Sequence, residues 1–377
     1  MPNRTRAILV ALVIALLAVG AIYQLKPELL RGGPAVYRVG VLIPETGNLA
    51  FIGKPMRNAL TLAEEESRAQ LAAVGIDLQL AFADSQGNPR DAVTQFNRLA
   101  DIENVKAIVT TLSGVIGAVN PQARERDILL VGLTPDPTFL KTNPNGLRVL
   151  FSFDREGNLI ADTAKQRGWK RVLLLHSTDA ATTYEVTKVL LPRFAADGVE
   201  ATVDTFTVGQ RDFKTLCAKH AAGPWDAVVY HGFGSEIPFV AEACGVHEAI
   251  ARAPKMGPLS TLDIKPDLRK AVVGLQFFAP AFMAKLGGDY EAFAKRYADR
   301  FPGQTFTYSS VYAYDAYQLI ANALLARGIG SAAQIKAQLT KPTKALTQEY
   351  TFDASGDFQP ETVLMEIARD GTFKPVP

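Results

Sequence analysis

The sequence predicts an α/β protein of two lobes, each a parallel sheet covered by helices on both faces, and three observations carry that prediction. Short apolar runs of strand length alternate with longer stretches of helical periodicity along most of the chain. This rhythm breaks at FSFDREG (151–157) and restarts at Trp169. With 377 residues, 48% hydrophobic and 21% charged, the chain is long enough for two cores of ordinary size. Strands separated by helices of this length need right-handed crossovers, hence parallel sheets.

Residues 1–21 have a basic start at Arg4 and Arg6, an apolar run over 7–19 and small residues at Ala18, Gly20 and Ala21, which predict a secretory signal peptide. The competing reading is an uncleaved anchor over 7–23. No cysteine lies near this segment, so a lipoprotein is excluded. Residues 22–35 read as a linker. From Val36 onward strands are predicted at 37–43, 77–83, 107–111, 129–132, 171–176, 201–207, 227–231 and 273–278. Helices are predicted between them at 54–74, 89–101, 114–126, 158–167, 184–197, 212–222 and 237–244. The first lobe is expected over 36–152 and 278–350, where long helices at 289–301 and 309–327 bring the chain back, and the second over 153–277 and 351–377. The tail, EYTFDASGDFQPETVLMEIARDGTFKPV, alternates apolar and polar residues around Gly-containing turns. It predicts antiparallel strands added at a sheet edge or hinge.

The formal charge is +2 and falls to zero when Arg4 and Arg6 leave with the signal, so nothing electrostatic points to nucleic acid. Cys217 and Cys244 lie on two successive predicted helices and are either a disulfide or two small buried residues. Four histidines, His176, His220, His231 and His247, show no paired spacing, and no metal site is expected. Gly232 and Gly234 begin a dinucleotide-like pattern that fails at Ile237, and Ser235 lacks a nucleophile elbow, so neither an enzyme nor a cofactor is expected.

In open α/β sheets ligands sit beyond the carboxyl ends of the strands, which singles out the loops at 46–53, 113–117, 134–138, 179–183 and 232–236. Ser113-Gly114 opens a helix whose hydroxyl and free N–H groups suit a carboxylate, or form a simple cap. TPDPT places Asp136 and Thr138 at a neighbouring strand end. Phe233, between two glycines, is either a platform in the cleft or a loop support. Tyrosines 308, 312, 314 and 317 read as a core stripe, with Tyr308 and Tyr312 the two within reach of the cleft.

Taken together, these residues resemble the periplasmic leucine/isoleucine/valine-binding family, the substrate-binding proteins of branched-chain amino-acid ABC transporters. The resemblance covers nearly all of the chain after Val36 and rests on VGVLIPETGNLAFIG, TLSGVIGAV, VGLTPDPT, GQRDFKTLCAKHAAGPWDAVVYHGFGSE and YTFDASGDF in that order. It implies two Rossmann-like lobes of the type I periplasmic-binding-protein fold, a hinge and an interlobe cleft. It further implies a monomer exported to the periplasm, which delivers a small-molecule solute to an ABC permease in the inner membrane. By resemblance Ser113 and Thr138, with backbone N–H groups around Gly114 and Asp136, hold a carboxylate. Phe233 is the second-lobe aromatic, and Phe51 or Ile52 matches the first-lobe one.

Two departures bear on the solute. Leu259 stands where amino-acid members carry an acid for the ammonium group, with Asp263 four residues later at the limit of reach. HSTDAATTY lacks the tyrosine-glycine pair expected near Ala181 and Thr182. Burying an unpaired ammonium costs several kcal/mol, so the departures point away from an α-amino acid and toward an aliphatic or aromatic carboxylate, an amide or a urea-like compound. The rival readings are a membrane-tethered ligand-sensing module of the same fold and, more weakly, a nucleotide-dependent enzyme.

Overall fold

The computed structural model describes residues 33–281 and 289–376. The expected signal and most of the linker lie outside the described residues. Among the described residues, no helix is long and apolar enough to cross a membrane.

The first sheet is parallel throughout, in the order β2-β1-β3-β4-β5, built from β1 (Ala35–Ile43), β2 (Ile76–Asp84), β3 (Ala107–Thr111), β4 (Leu129–Leu133) and β5 (Gly146–Arg148). Its connections are α1 (Ala50–Ala73), α2 (Pro89–Asp101) and α3 (Ser113–Glu125). Alternate strand residues serve opposite faces. Val39, Val41, Val109 and Val131 join the large core with α1, whereas Leu42, Ile108 and Leu130 pack with Phe96 of α2 and Val119 of α3. Both faces are covered, which is why these strands read as unbroken apolar runs.

The second lobe runs through α4 (Phe153–Gln166), β6 (Arg171–Ser177), α5 (residues 180–196), β7 (Glu200–Phe206), α6 (Lys214–Lys219), β8 (Ala227–His231), α7 (Ile237–Gly245), α8 (Glu248–Arg252), β9 (Lys255–Gly257) and β10 (Leu275–Pro280). The chain then returns to the first lobe through α9 (Asp289–Arg300), α10 (Tyr308–Arg327) and α11 (Ala332–Leu339). The Tyr317 hydroxyl lies 3.1 Å from Ser67 Oγ and the Tyr314 hydroxyl donates to Glu66 at 2.5 Å, fixing α10 against α1. A small hairpin, β11 (Thr343–Lys344) with β12 (Glu349–Tyr350), precedes β13 (Thr362–Ile367) and β14 (Phe373–Pro375). These last two strands are antiparallel and extend the second sheet beside β10, in the order β14-β13-β10-β9-β8-β6-β7. The tail is thus the edge addition that its alternating pattern predicts.

Two differences from the sequence reading matter, and one open alternative is settled. The break at 151–157 is mostly helix: Ser152 caps α4 by accepting the Arg155 N–H at 3.0 Å, so the crossing narrows to 149–152. β10 stays in the second sheet through Phe278 and Ala279, past the lobe boundary expected at 278. Of the two cysteine readings the disulfide holds: Cys217 and Cys244 are bonded, tying α6 to α7.

Candidate functional site

A cavity of about 460 Å³ lies between the lobes, where the β3–α3 and β4 ends of one sheet face the β6–α5 and β8 ends of the other. On the first-lobe side its wall is built around a strained turn. Leu112 has φ 72° and ψ 119°, a left-handed conformation that costs a side-chain-bearing residue roughly 1–3 kcal/mol. That turn starts α3 at Ser113, and the first helical bond runs from the Ile116 N–H to the Leu112 carbonyl. The N–H groups of Ser113, Gly114 and Val115 therefore have no acceptor inside the helix, and all three residues line the cavity. Ser113 Oγ lies 2.8 Å from Thr134 Oγ1. A helix N-terminus with a hydroxyl beside it attracts negative charge.

The second-lobe wall carries acids. Glu156 on α4 and Glu185 on α5 are 1% and 0% exposed, and His231 at the end of β8 is 1% exposed. Their ligand-type atoms lie within 4.8 Å of one another, a spacing able to surround a small cation. His231 Nε2 is 2.8 Å from Glu185 Oε2, and Glu156 Oε1 accepts the Leu259 N–H at 2.7 Å. The Glu156 and Glu185 carboxyls are hydrogen-bonded to each other. Gly157 makes this closeness possible, since a Cβ there would sit 2.9 Å from Val189 and 3.3 Å from the Glu185 side chain. α5 also opens to a π-helical turn at Glu185–Leu190, whose first residue is the inward Glu185. Burial, then the neighbouring Glu185, push the Glu156 carboxyl well above the usual range. Burial does the same to Glu185 and pulls the His231 imidazole down. Asp263 also lines the cavity, accepts the Tyr308 N–H at 3.1 Å from across the cleft, and is pushed up to about 7 by burial. Asp179 is spent on structure, capping α5 through the Ala181 and Thr182 N–H groups. Among the described residues, no lysine or arginine lines the cavity.

The sequence profile of the periplasmic binding protein family matches residues 36–370. The chain belongs to the periplasmic binding protein family. A Leu/Ile/Val-binding protein homolog of Brucella melitensis is 29% identical over 52% of this chain, which spans 55% of that relative's length. A second such homolog, from Brucella abortus, is 24% identical over 85% of this chain and 86% of its own. Among solved structures, the branched-chain amino acid transporter substrate-binding protein LivJ of Streptococcus pneumoniae, in complex with isoleucine, superposes with a TM-score of 0.76 at 19% identity, covering 91% of this chain and 99% of that one. An R. palustris solute-binding protein in complex with benzoate reaches 0.77 at 20% identity, covering 91% and 96%. The two-lobed type I fold expected from the sequence is thereby established.

In this binding protein the structure brings Ile52, Ser113, Gly114, Ala181, Phe233 and Leu259 to the one cavity. Phe51 lines a second, outer chamber of about 490 Å³, and its ring meets Phe233 edge-on at 5.9 Å between centroids. Asp136 and Thr138 line a separate crevice of about 240 Å³ behind Ser113. The reason is local: Asp136 accepts the Thr138 N–H at 2.8 Å in a side-chain turn just ahead of the short helix Thr138–Lys141, which turns that loop away, and Thr134 takes the place beside Ser113. Sequence reasoning singled out the 134–138 loop without Thr134 itself, missed Glu156, and read Tyr308 and Tyr312 as a core stripe within reach of the cleft; both tyrosines line the cavity. It also placed Asp263 at the limit of reach, whereas the turn Leu259–Asp263 carries it into the cavity wall. The histidines were read as unclustered, yet the fold gathers His231 with two carboxylates from distant elements.

Proposed function

We propose that this periplasmic binding protein captures a small solute with an apolar body and a carboxylate, closes on it by a hinge motion, and presents it to an ABC permease outside the cytoplasm without reacting it. The observation that carries this reading is the 460 Å³ cavity shared by both lobes, with the N-terminus of α3 at one wall and apolar side chains such as Ile52, Met56, Phe233 and Leu259 around it. Cavities of this size, mostly apolar with a few convergent polar groups, suit small ligands. Ser113 and Gly114 hold the carboxylate, and Ala181 and Leu259 bound the opposite side. Isoleucine and benzoate, held by two proteins of the same fold, share an apolar body and a carboxylate. The Cys217–Cys244 disulfide suits the oxidising periplasm. Residues 33–149 with 289–350 act as one lobe and 153–280 with 362–376 as the other, in a monomer.

Thermal-shift screening of the purified full chain against apolar amino acids, benzoates, short aliphatic carboxylates and amides tests this. At least one class is expected to raise the melting midpoint, since a ligand at a hundred times its Kd adds about 2.7 kcal/mol. Stabilisation by none of them overturns the reading.

A further inference from the structure

The space between the lobes does not end at the inner cavity. The outer chamber, of about 490 Å³, is as roomy as the inner one and is likewise walled by both lobes. The two have Asn48 and Asp263 in common, so they abut beside the Phe51–Phe233 pair. Their linings differ in charge. Three cations line the outer chamber: Lys54 on α1 of the first lobe, and Arg211 and Lys265 on loops of the second. Arg211 is held in place, since its Nη1 donates to the Ser235 carbonyl at 2.6 Å and its guanidinium lies 4.7 Å from the centroid of the Phe239 ring. Among the described residues, no carboxylate forms an ion pair with any of the three. The acids of this chamber do not cancel their charge. Glu236 is 0% exposed, and its Oε1 accepts the Gly209 N–H at 2.9 Å and the Ser235 hydroxyl at 2.8 Å. Asp263 is engaged by the Tyr308 N–H, and burial favours its neutral form. Lys54 shares a chamber with Arg211 and Lys265 only when the lobes meet, so closure gathers like charges there, and an anion between them offsets the repulsion.

We propose that the outer chamber is a second subsite, in which Lys54, Arg211 and Lys265 hold an anionic group at the far end of an elongated solute. The solute class that fits both chambers is a dicarboxylate: one carboxylate at the start of α3, an apolar body across the inner cavity, and the other carboxylate among the three cations. This rests on the solute-binding reading above and narrows its substrate class. The apolar walls of the outer chamber, Phe51, Phe239 and Leu268, suit the hydrocarbon leading to that second charge. The passage runs past Asn48 and Asp263, the residues common to both chambers, and leaves the edge-on aromatic pair in place. A short monocarboxylate fills the inner cavity alone and leaves the three cations to water. A dicarboxylate instead ties Lys54 of one lobe to Arg211 and Lys265 of the other, so its far end contributes to closure as well as to affinity.

The test is calorimetric titration of the full chain with hexanoate, octanoate and decanoate, each beside the diacid of the same length, adipate, suberate and sebacate. At least one diacid is expected to bind about 10-fold or more tightly than its monoacid, with an advantage that shrinks as salt is raised. The double substitution Lys54→Gln and Lys265→Gln is measured in parallel; both side chains are exposed and outside any ion pair among the described residues, so the fold is kept. It is expected to bring that diacid to within about threefold of its monoacid while moving the monoacid itself less than about threefold. Two results overturn the inference while leaving solute binding intact: no diacid binding more tightly than its monoacid, or a diacid advantage that survives the double substitution. Binding by none of the six probes, where the thermal-shift screen has found a solute, also overturns this inference alone. Binding by none together with an empty screen brings down the solute-binding reading as well.

Discussion

A single hydroxyl at Ser113 sits where three outward N–H groups of α3 converge, and its bond to Thr134 holds it there. Replacing Ser113 by alanine is therefore expected to weaken a carboxylate solute by about 1–3 kcal/mol, read by calorimetry. Thr138→Ala, in the crevice behind, should leave affinity unchanged, and equal losses from both would place the carboxylate elsewhere. Asp263 makes a prediction in pH. Its carboxyl moves from an ordinary 3.8 to about 7 in the folded protein because burial penalises the charged form more than the Tyr308 N–H relieves it. Below about pH 4 the group is protonated folded and unfolded alike, and no penalty exists. As pH rises toward 7 the unfolded chain ionises first, so folded stability falls, and the penalty is complete above 7. Asp263→Asn, which keeps an acceptor for Tyr308, should raise the melting midpoint at pH 8 by the equivalent of about 1–3 kcal/mol and leave it unchanged near pH 4. A midpoint that rises equally at both pH values would contradict this account.

At the scale of elements, the order of strands and helices was legible because both faces of the first sheet are covered and its strands are apolar throughout. The start of α4 was legible too, in Ser152 followed by Asp154 and Glu156, a cap with acids in the first turn. The interrupted rhythm drew attention away from it. The Glu156, Glu185 and His231 cluster had no such signal, since its members come from α4, α5 and β8 and meet only through Gly157 and the π-helical turn. The loop carrying Thr138 was misplaced because TPDPT does not reveal that Asp136 will bond within its own turn. Sequence spacing likewise left the cysteines open, because it says nothing of how α6 packs on α7. With that bond in place, the double substitution Cys217→Ala and Cys244→Ala should cost about 2–4 kcal/mol in urea unfolding, chiefly by freeing the unfolded chain. Solute affinity should not move, as neither residue lines the cavity. A wild type equally stable with and without reductant would contradict the stability estimate.

The whole molecule works through its crossings and through contacts made only when the lobes meet. Arg148, fully buried at the end of β5, bonds Asp357 at 2.5 Å and donates to the carbonyls of Leu150 and Phe358, so the crossings at 149–152 and 351–361 are held together and must bend as one. Arg148→Met leaves the Asp357 carboxylate uncompensated and should destabilise the fold by about 3–5 kcal/mol in the same urea assay. Across the cleft, Phe51 and Phe233 meet edge-on, outside the inner cavity on the Phe51 side, so their contact forms with closure rather than with the solute. Such a pair is worth about 0.5–1.5 kcal/mol. Removing it with Phe51→Ala should shift the lobes toward opening and, because a solute can only draw on the closed population, raise the apparent Kd by about two- to tenfold. The change should appear in the dissociation rate, since the open form still admits solute freely, and stopped-flow release measures it directly. A variant with unchanged release but slower capture would mean that Phe51 guides entry instead of holding the closed lobes together.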